Sequence, residues 1–186
     1  MIQKNTFTDL KDLTANNEGY IHLYTGTGKG KTTAALGLAL RATGAGKKVF
    51  IAQFVKGMHY NEIDALKHLP DIELKQYGLK CFIVNEPSKK DIDAARKGFE
   101  EVSEIIKNNK YDLVILDEIC IAIYYNLLTI TEILSLLKSK PKKMEIVMTG
   151  RYATTELIAI ADLVTEMKEI KHYYQKGIDA RKGIEY

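Results

Sequence analysis

Gly26-Thr27-Gly28-Lys29-Gly30-Lys31-Thr32-Thr33 is a glycine-rich stretch closed by a lysine and two hydroxyl residues. Glycines lack the Cβ that keeps backbone N–H groups away from phosphate oxygens, a lysine adds a mobile positive charge, and a threonine hydroxyl reaches a bridging Mg2+. The stretch predicts a nucleoside triphosphate site in which Lys31 is the principal cation, Thr32 the metal-directed hydroxyl and Thr33 an alternate. In the register G-x-x-x-x-G-K-[ST] the first glycine position falls on Thr25. Glycines alternate instead at 26, 28 and 30, so the predicted cradle holds its triphosphate differently from that of an ordinary NTPase.

A second chemical element is Leu113-Val114-Ile115-Leu116-Asp117-Glu118, an apolar run ending in adjacent acids. A buried strand that delivers carboxylates at its mouth, opposite a threonine hydroxyl, is how a nucleotide site directs Mg2+; one or two carboxylates plus phosphate oxygens suffice. Thr149-Gly150-Arg151 follows another apolar run, and the planar fork of Arg151 suits bidentate phosphate recognition. Lys56, in Gln53-Phe54-Val55-Lys56-Gly57, is a further phosphate-binding candidate.

These residues need a scaffold that brings strand ends together. Short apolar runs at 20–24, 49–54, 72–75, 113–116, 146–148 and 163–167 read as strands, and helical patterns fall between them at 31–43, 62–68, 89–108, 131–138 and 154–161. Strands alternating with helices predict an α/β fold with a mostly parallel sheet covered on both faces, whose ligands bind at the carboxyl ends of the strands. Ser88 is the expected N-cap of the long helix, and Pro141 the expected stop after the helix at 131–138. Residues 1–19 are polar with scattered apolar side chains and read as an N-terminal arm; residues 20–186 read as one domain.

Composition narrows the partners. Lysine plus arginine number 27 against 24 acids, a formal charge of +3 that makes no case for nucleic acid or a membrane surface. Cys81 and Cys120 lack C-x-x-C spacing, and His22, His59, His68 and His172 lack metal spacing, so neither a zinc site nor a disulfide framework is expected. The start lacks the apolar stretch of a signal peptide and no apolar run approaches bilayer-spanning length, which predicts a cytoplasmic protein. Tyr173, Tyr174 and Tyr186 are expected to help form an apolar wall.

With these blocks assembled, the chain resembles the P-loop corrinoid adenosyltransferases from about residue 19 to residue 186. The resemblance is carried by the glycine loop from Tyr24 to Ala35, by Gln53-Phe54-Val55-Lys56-Gly57, Val114-Ile115-Leu116-Asp117-Glu118 and Thr149-Gly150-Arg151. It continues through Ala161-Asp162-Leu163-Val164-Thr165-Glu166-Met167, then Gly177-Ile178 and the closing Lys182-Gly183-Ile184-Glu185-Tyr186. It implies a RecA-like fold, often homodimeric, that binds MgATP and cob(I)alamin or a related corrinoid, transfers 5′-deoxyadenosine to cobalt and releases triphosphate. A flavoprotein or other cobalt reductase is the implied partner.

On that reading the reacting centre is ribose C5′, at the end of ATP opposite the γ-phosphate, and the displaced glycine register suits a triphosphate held in a shifted or reversed sense. Cobalt(I) is already a strong nucleophile, so the roles implied are positioning and charge stabilisation. Lys31, Arg151 and the loop amides from Gly26 through Thr33, including Thr27 and Lys29, would meet the triphosphate. Thr32 and Glu118 would meet Mg2+, and Asp117 would orient Thr32 or a metal-bound water. The family tends to carry a Gly-Phe-x-Trp-like corrinoid-shaping segment after the third strand; here that stretch is Gly78-Leu79-Lys80-Cys81-Phe82 and the chain has no tryptophan. Leu79 and Phe82 are the expected apolar wedge. A small-molecule kinase or RecA-like ATPase would share the loop and acids but would yield ADP. A binding module without turnover would yield no product.

Overall fold

Along the second strand, β2 (Val49–Phe54), side chains alternate between two apolar layers: Val49 and Ile51 pack on one face, and Phe50, Ala52 and Phe54 on the other. All six residues are buried, the pattern of an interior strand with helices on both sides. The computed structural model describes residues 18–79, 83 and 86–186. The remaining strands are β1 (Ile21–Thr25), β3 (Ile72–Tyr77), β4 (Leu113–Asp117), β5 (Glu145–Thr149) and β6 (Leu163–Glu166). They form one parallel sheet in the order β3-β2-β4-β5-β1-β6.

Helix α1 (Lys31–Gly44) meets one face through Ala35, Ala39 and Ala42, small residues at helical spacing that let its backbone approach Val49, Ile51, Ile115 and Val147 closely. Helix α2 (Asn61–Leu66) adds Leu66 to that layer. The opposite face is covered by α3 (Lys89–Asn108), α4 (Ile119–Tyr124), α5 (Ile130–Lys138) and α6 (Thr155–Ile160), through residues such as Val102, Ile123, Ile133 and Leu157. Full burial of a side chain such as Phe50 contributes about 1.5–3 kcal/mol.

Ser88 caps α3 as expected. Its backbone N–H donates to Asp91 Oδ2 at 2.8 Å while its Oγ accepts from Asp91 N at 3.4 Å, a capping box of the kind worth about 1 kcal/mol. Thr129 and Glu132 do the same for α5, which ends at Lys138, before Pro141.

The expected elements are present with shifted ends, and two more appear. Helix α4 follows the acidic pair directly; Ile119-Cys120-Ile121-Ala122-Ile123-Tyr124 is apolar throughout and β-branched at three positions, so neither period nor propensity marks it as a helix. The other addition is a 3-10 turn at Tyr173–Lys176. Strand β6 is one edge of the sheet, opposite β3, and all four of its residues are exposed. At the start of β1, Gly19 donates its N–H to the Lys142 carbonyl at 2.8 Å, and a Cβ there would lie 2.1 Å from the Met144 carbonyl oxygen. Residues 1–17 of the expected arm, Cys81 and Phe82 lie outside the described residues.

Candidate active site

The loop between β1 and α1 has a packing reason for its alternating glycines. A Cβ on Gly26 would sit 2.5 Å from the Met167 carbonyl oxygen, and one on Gly28 would sit 2.7 Å from the same atom. The Gly28 N–H donates to that carbonyl at 2.6 Å, and Met167 N–H donates to the Thr25 carbonyl at 2.8 Å. The chain leaving β6 therefore lies directly on the loop, and only glycine admits it. Gly30 is required differently: at φ 115° it occupies the left-handed region as the N-cap of α1. Thr25 is the last residue of β1, paired with Glu166, so the position without glycine belongs to the strand.

Lys31 is buried, and its Nζ donates to the carbonyls of Gly26 and Gly28, each at 2.8 Å. Burial, opposed by Glu118 and reinforced by Arg151, holds its pKa below the ordinary lysine value. The ammonium is thus centred inside the loop whose amides and helix N-terminus offer positive potential to an anion.

Asp117 is the hub of the strand ends. Its Oδ1 accepts from Thr32 Oγ1 at 2.9 Å and from Thr149 Oγ1 at 2.6 Å; its Oδ2 accepts from Lys56 Nζ at 2.7 Å and Gln53 Nε2 at 3.2 Å. Gln53 accepts in turn from Gln76 Nε2 at 3.1 Å. The sheet register produces this row, pairing Gln53 with Gln76 on one side and with Asp117 on the other. Burial opposes the Lys56 charge, but the Asp117 carboxylate outweighs it and raises the lysine above its ordinary pKa. Lys56 also donates to Thr32 Oγ1 at 3.0 Å, so the expected phosphate ligand here joins hydroxyl and acid.

Glu118 is placed differently from its neighbour. At φ 59° it is a non-glycine residue in the left-handed region, turning the chain from β4 into α4, with its N–H donating to Thr149 Oγ1 at 2.9 Å. Burial, then the Asp117 charge, push its pKa up against the opposing pull of Lys56, Lys31 and Arg151. Among the described residues, positive φ in residues other than glycine and asparagine occurs at Val55, Glu118 and Tyr152, which follow β2, β4 and β5. Such backbone costs of order 1–3 kcal/mol per residue and concentrates where ligands are handled.

All three strained residues line one cavity of about 890 Å³ at the carboxyl edge of the sheet. Its walls also include Thr27, Gly28, Lys29, Gly30, Lys31, Thr32, Thr33, Lys56 and Arg151, so the loop, the second acid and the arginine expected from sequence converge on one space. Leu79 is half-buried and its backbone packs against Gly57, but it is not among the described residues that wall this cavity.

Sequence reasoning missed several walls. Tyr60, Ile121 and Tyr125 line the cavity, as does Glu185 from the C-terminal segment. Lys29, expected at the triphosphate, donates from Nζ to Tyr173 Oη at 3.1 Å, the Ile184 carbonyl at 3.0 Å and Glu185 Oε1 at 2.6 Å. Of the expected tyrosine wall, Tyr186 lines the cavity, Tyr173 reaches Lys29 and Glu185, and Tyr174 is 71% exposed. The one available signal for the tail was the motif Gly183-Ile184-Glu185-Tyr186. Among the described residues no group of three or more His, Cys, Asp or Glu is placed to hold a metal, and no helix is long and apolar enough to cross a membrane.

A parallel sheet in this order, with a glycine loop after β1 and a buried acid ending the strand across from it, defines a RecA-like P-loop nucleotide-binding protein. Solved structures agree on the fold: a KaiC-like protein of Pyrococcus horikoshii aligns with TM-score 0.53 at 18% identity, covering 83% of this chain and 75% of that one. The flagellar accessory protein FlaH of Methanocaldococcus jannaschii aligns with TM-score 0.56 at 11% identity, covering 80% and 71%. Within that class, residues 17–186 match the family model of ATP:corrinoid adenosyltransferase BtuR/CobO/CobP, and the chain belongs to that family. A corrinoid adenosyltransferase from a Sinorhizobium species is 37% identical over 92% of this chain and 82% of its own length. One from Escherichia coli K12 is 34% identical over 92% and 87%, and one from Pseudomonas aeruginosa 32% identical over 100% and 93%.

Proposed function

We propose that this chain transfers the 5′-deoxyadenosyl group of ATP to the cobalt of cob(I)alamin or a related corrinoid, in the making or salvage of adenosylated cobalamin. The cobalt(I) electron pair forms the cobalt–C5′ bond while the C5′–oxygen bond breaks; inorganic triphosphate leaves with the electron pair of that broken bond, and cobalt ends as cobalt(III). The observation that carries this reading is Lys31, buried in the glycine loop and sharing one cavity with Glu118 and Arg151, in a chain of this family.

Since the nucleophile needs no base, the residues here position ATP and stabilise departing charge. Lys31, Arg151 and the loop amides of Gly26, Thr27, Lys29, Gly30, Thr32 and Thr33 receive the triphosphate, while Gly28, whose N–H is given to the Met167 carbonyl, lets the chain after β6 lie on the loop. Asp117 orients Thr32, the role supported by their 2.9 Å hydrogen bond, while both Asp117 oxygens already accept from protein donors. Glu118 and the Thr32 hydroxyl are therefore the groups suited to Mg2+, which takes few protein ligands beside phosphate. When bound, Mg2+ would neutralise part of the triphosphate charge. Leu79 and Phe82 stand as apolar contacts for the corrinoid. The protein works in the cytoplasm as a homodimer and receives cobalt(I) from a flavoprotein or other reductase.

The test is incubation with MgATP and chemically reduced cobalamin, following the visible spectrum and the phosphate product. A cobalt–carbon product together with triphosphate is expected. ADP formed without a cobalt–carbon bond would instead make the protein a kinase or ATPase.

A further inference from the structure

Tyr124 and Tyr152 stack at the mouth of the cavity with ring centroids 4.3 Å apart and planes 29° from parallel. They come from different elements, the end of α4 and the turn after β5, and they are 54% and 55% exposed. Tyr125 adds an edge contact to Tyr124, with centroids 5.3 Å apart, and both Tyr125 and Tyr152 line the cavity. Tyr124 extends this aromatic surface outward from the cavity wall.

Core packing does not account for the pair, because each residue is more than half exposed. Backbone economy does not account for it either. Tyr152 is held at φ 62°, a region that bulky L-residues rarely adopt. The preceding Gly150, at φ 140°, has its Cα so close to Cys120 that an added Cβ would meet the Cys120 Cβ at 2.7 Å. The turn is therefore seated on α4, and Tyr152 is fixed one residue beyond Arg151.

We infer that the Tyr124–Tyr152 stack is a ledge that seats the flat macrocycle of the corrinoid and sets the affinity for it, an inference that rests on the adenosyl-transfer reading. That reaction needs a large planar ligand beside a nucleotide whose phosphates lie in the glycine loop. The ring that must approach has apolar faces and a polar rim, and a ledge open to solvent accepts such a ligand without burying the rim. Adenine is a smaller ring than the corrinoid, and Tyr124 lies outside the residues that wall the cavity, so a ligand on the stack must reach past those walls. Because Arg151 and Tyr152 are adjacent, the triphosphate contact and the ledge are held in one fixed relation.

The experiment compares wild type with Tyr152→Gly, which keeps the left-handed backbone while removing the ring, and with Tyr124→Ala and Tyr152→Phe. Each of the first two should raise KM for cob(I)alamin about three- to tenfold, the range of one aromatic stacking contact. KM for ATP should stay within twofold, which also shows the variants fold, and Tyr152→Phe should resemble wild type. An unchanged corrinoid KM, or a rise confined to ATP, overturns the ledge; the latter would make it an adenine seat. Equilibrium dialysis of cob(II)alamin in the presence of ATP separates this from the reaction itself. If wild type forms no cobalt–carbon bond, the functional reading fails. Weaker retention by Tyr152→Gly would still support the ledge, and equal retention would overturn it.

Discussion

Lys29 Nζ lies 2.6 Å from Glu185 Oε1, so a residue between two glycines of the nucleotide loop is tied to the C-terminal segment. Glu185 also accepts from the Arg181 N–H at 2.7 Å and from Tyr173 Oη, and Arg181 lies over the Tyr173 ring. Asn61 Nδ2 donates to the Tyr186 carbonyl at 2.6 Å, carrying the same segment across to α2. The tail is thus a wall of the cavity attached at both sides.

Glu185→Gln should loosen that wall without unfolding the domain, since exposed ion pairs add little to global stability. Amide exchange across residues 181–186 should rise while Tm stays within about 2 °C, the scatter of ordinary surface changes. In wild type the Lys29 hydrogen bond, first among several, holds the Glu185 carboxyl well below the usual range. A depressed acid stabilises above its unfolded pKa and loses that contribution only as pH falls through the folded value. Exchange at pH 4 should therefore still find the segment protected; release at that pH would contradict the pairing.

Lys31→Ala removes the preorganised cation proposed to meet the triphosphate. A loss of about 10²–10³ in kcat is expected, with the fold intact by circular dichroism. Near-full adenosyl transfer by this variant would remove Lys31 from the mechanism.

Asp117→Asn breaks a buried pair while leaving Lys56 in place. The exposures are 1% for the aspartate side chain and 16% for the lysine. Removing one partner from such a pair costs about 3 kcal/mol, which in a chain of this size lowers Tm by about 6–12 °C in a thermal melt.

Glu118→Gln should do the reverse for stability. Burial and the Asp117 charge disfavour the ionised Glu118 in the folded protein, raising its pKa. Its favourable contribution is full below the unfolded carboxylate pKa and declines as pH rises through the folded value. At neutral pH the glutamine variant should gain about 1 kcal/mol, read as a Tm rise of about 2–4 °C, while adenosyl transfer falls. The stability gain should vanish near pH 4.

Two glycine substitutions test the loop against a helix. Gly28→Ala places a Cβ 2.7 Å from the Met167 carbonyl oxygen and should cost about 1–3 kcal/mol in denaturant melts, because backbone must move. Gly37→Ala, within α1 and with nothing inside 4 Å of the added Cβ, should stabilise by about 0.5–1 kcal/mol.

The alternation of apolar runs with helical patterns was enough to read the layered α/β architecture, because hydrophobic periodicity is local. Lys31, Thr32, Asp117, Glu118 and Arg151 were legible as a group for the same reason: each ends or follows a strand, and parallel strands bring their carboxyl ends to one edge. Helix α4 was not, since a short helix buried on several sides carries no period. Only the tertiary structure decided why Gly26 and Gly28 must be glycine, because the contact comes from Met167, far along the chain. Likewise Lys29 reads as a phosphate ligand until the tail brings Glu185 to it, and nothing local sets Tyr124 against Tyr152; β5 and α4 do so. Residue type and spacing announce chemistry that one segment can hold, whereas contacts between distant segments depend on how the sheet orders its strands.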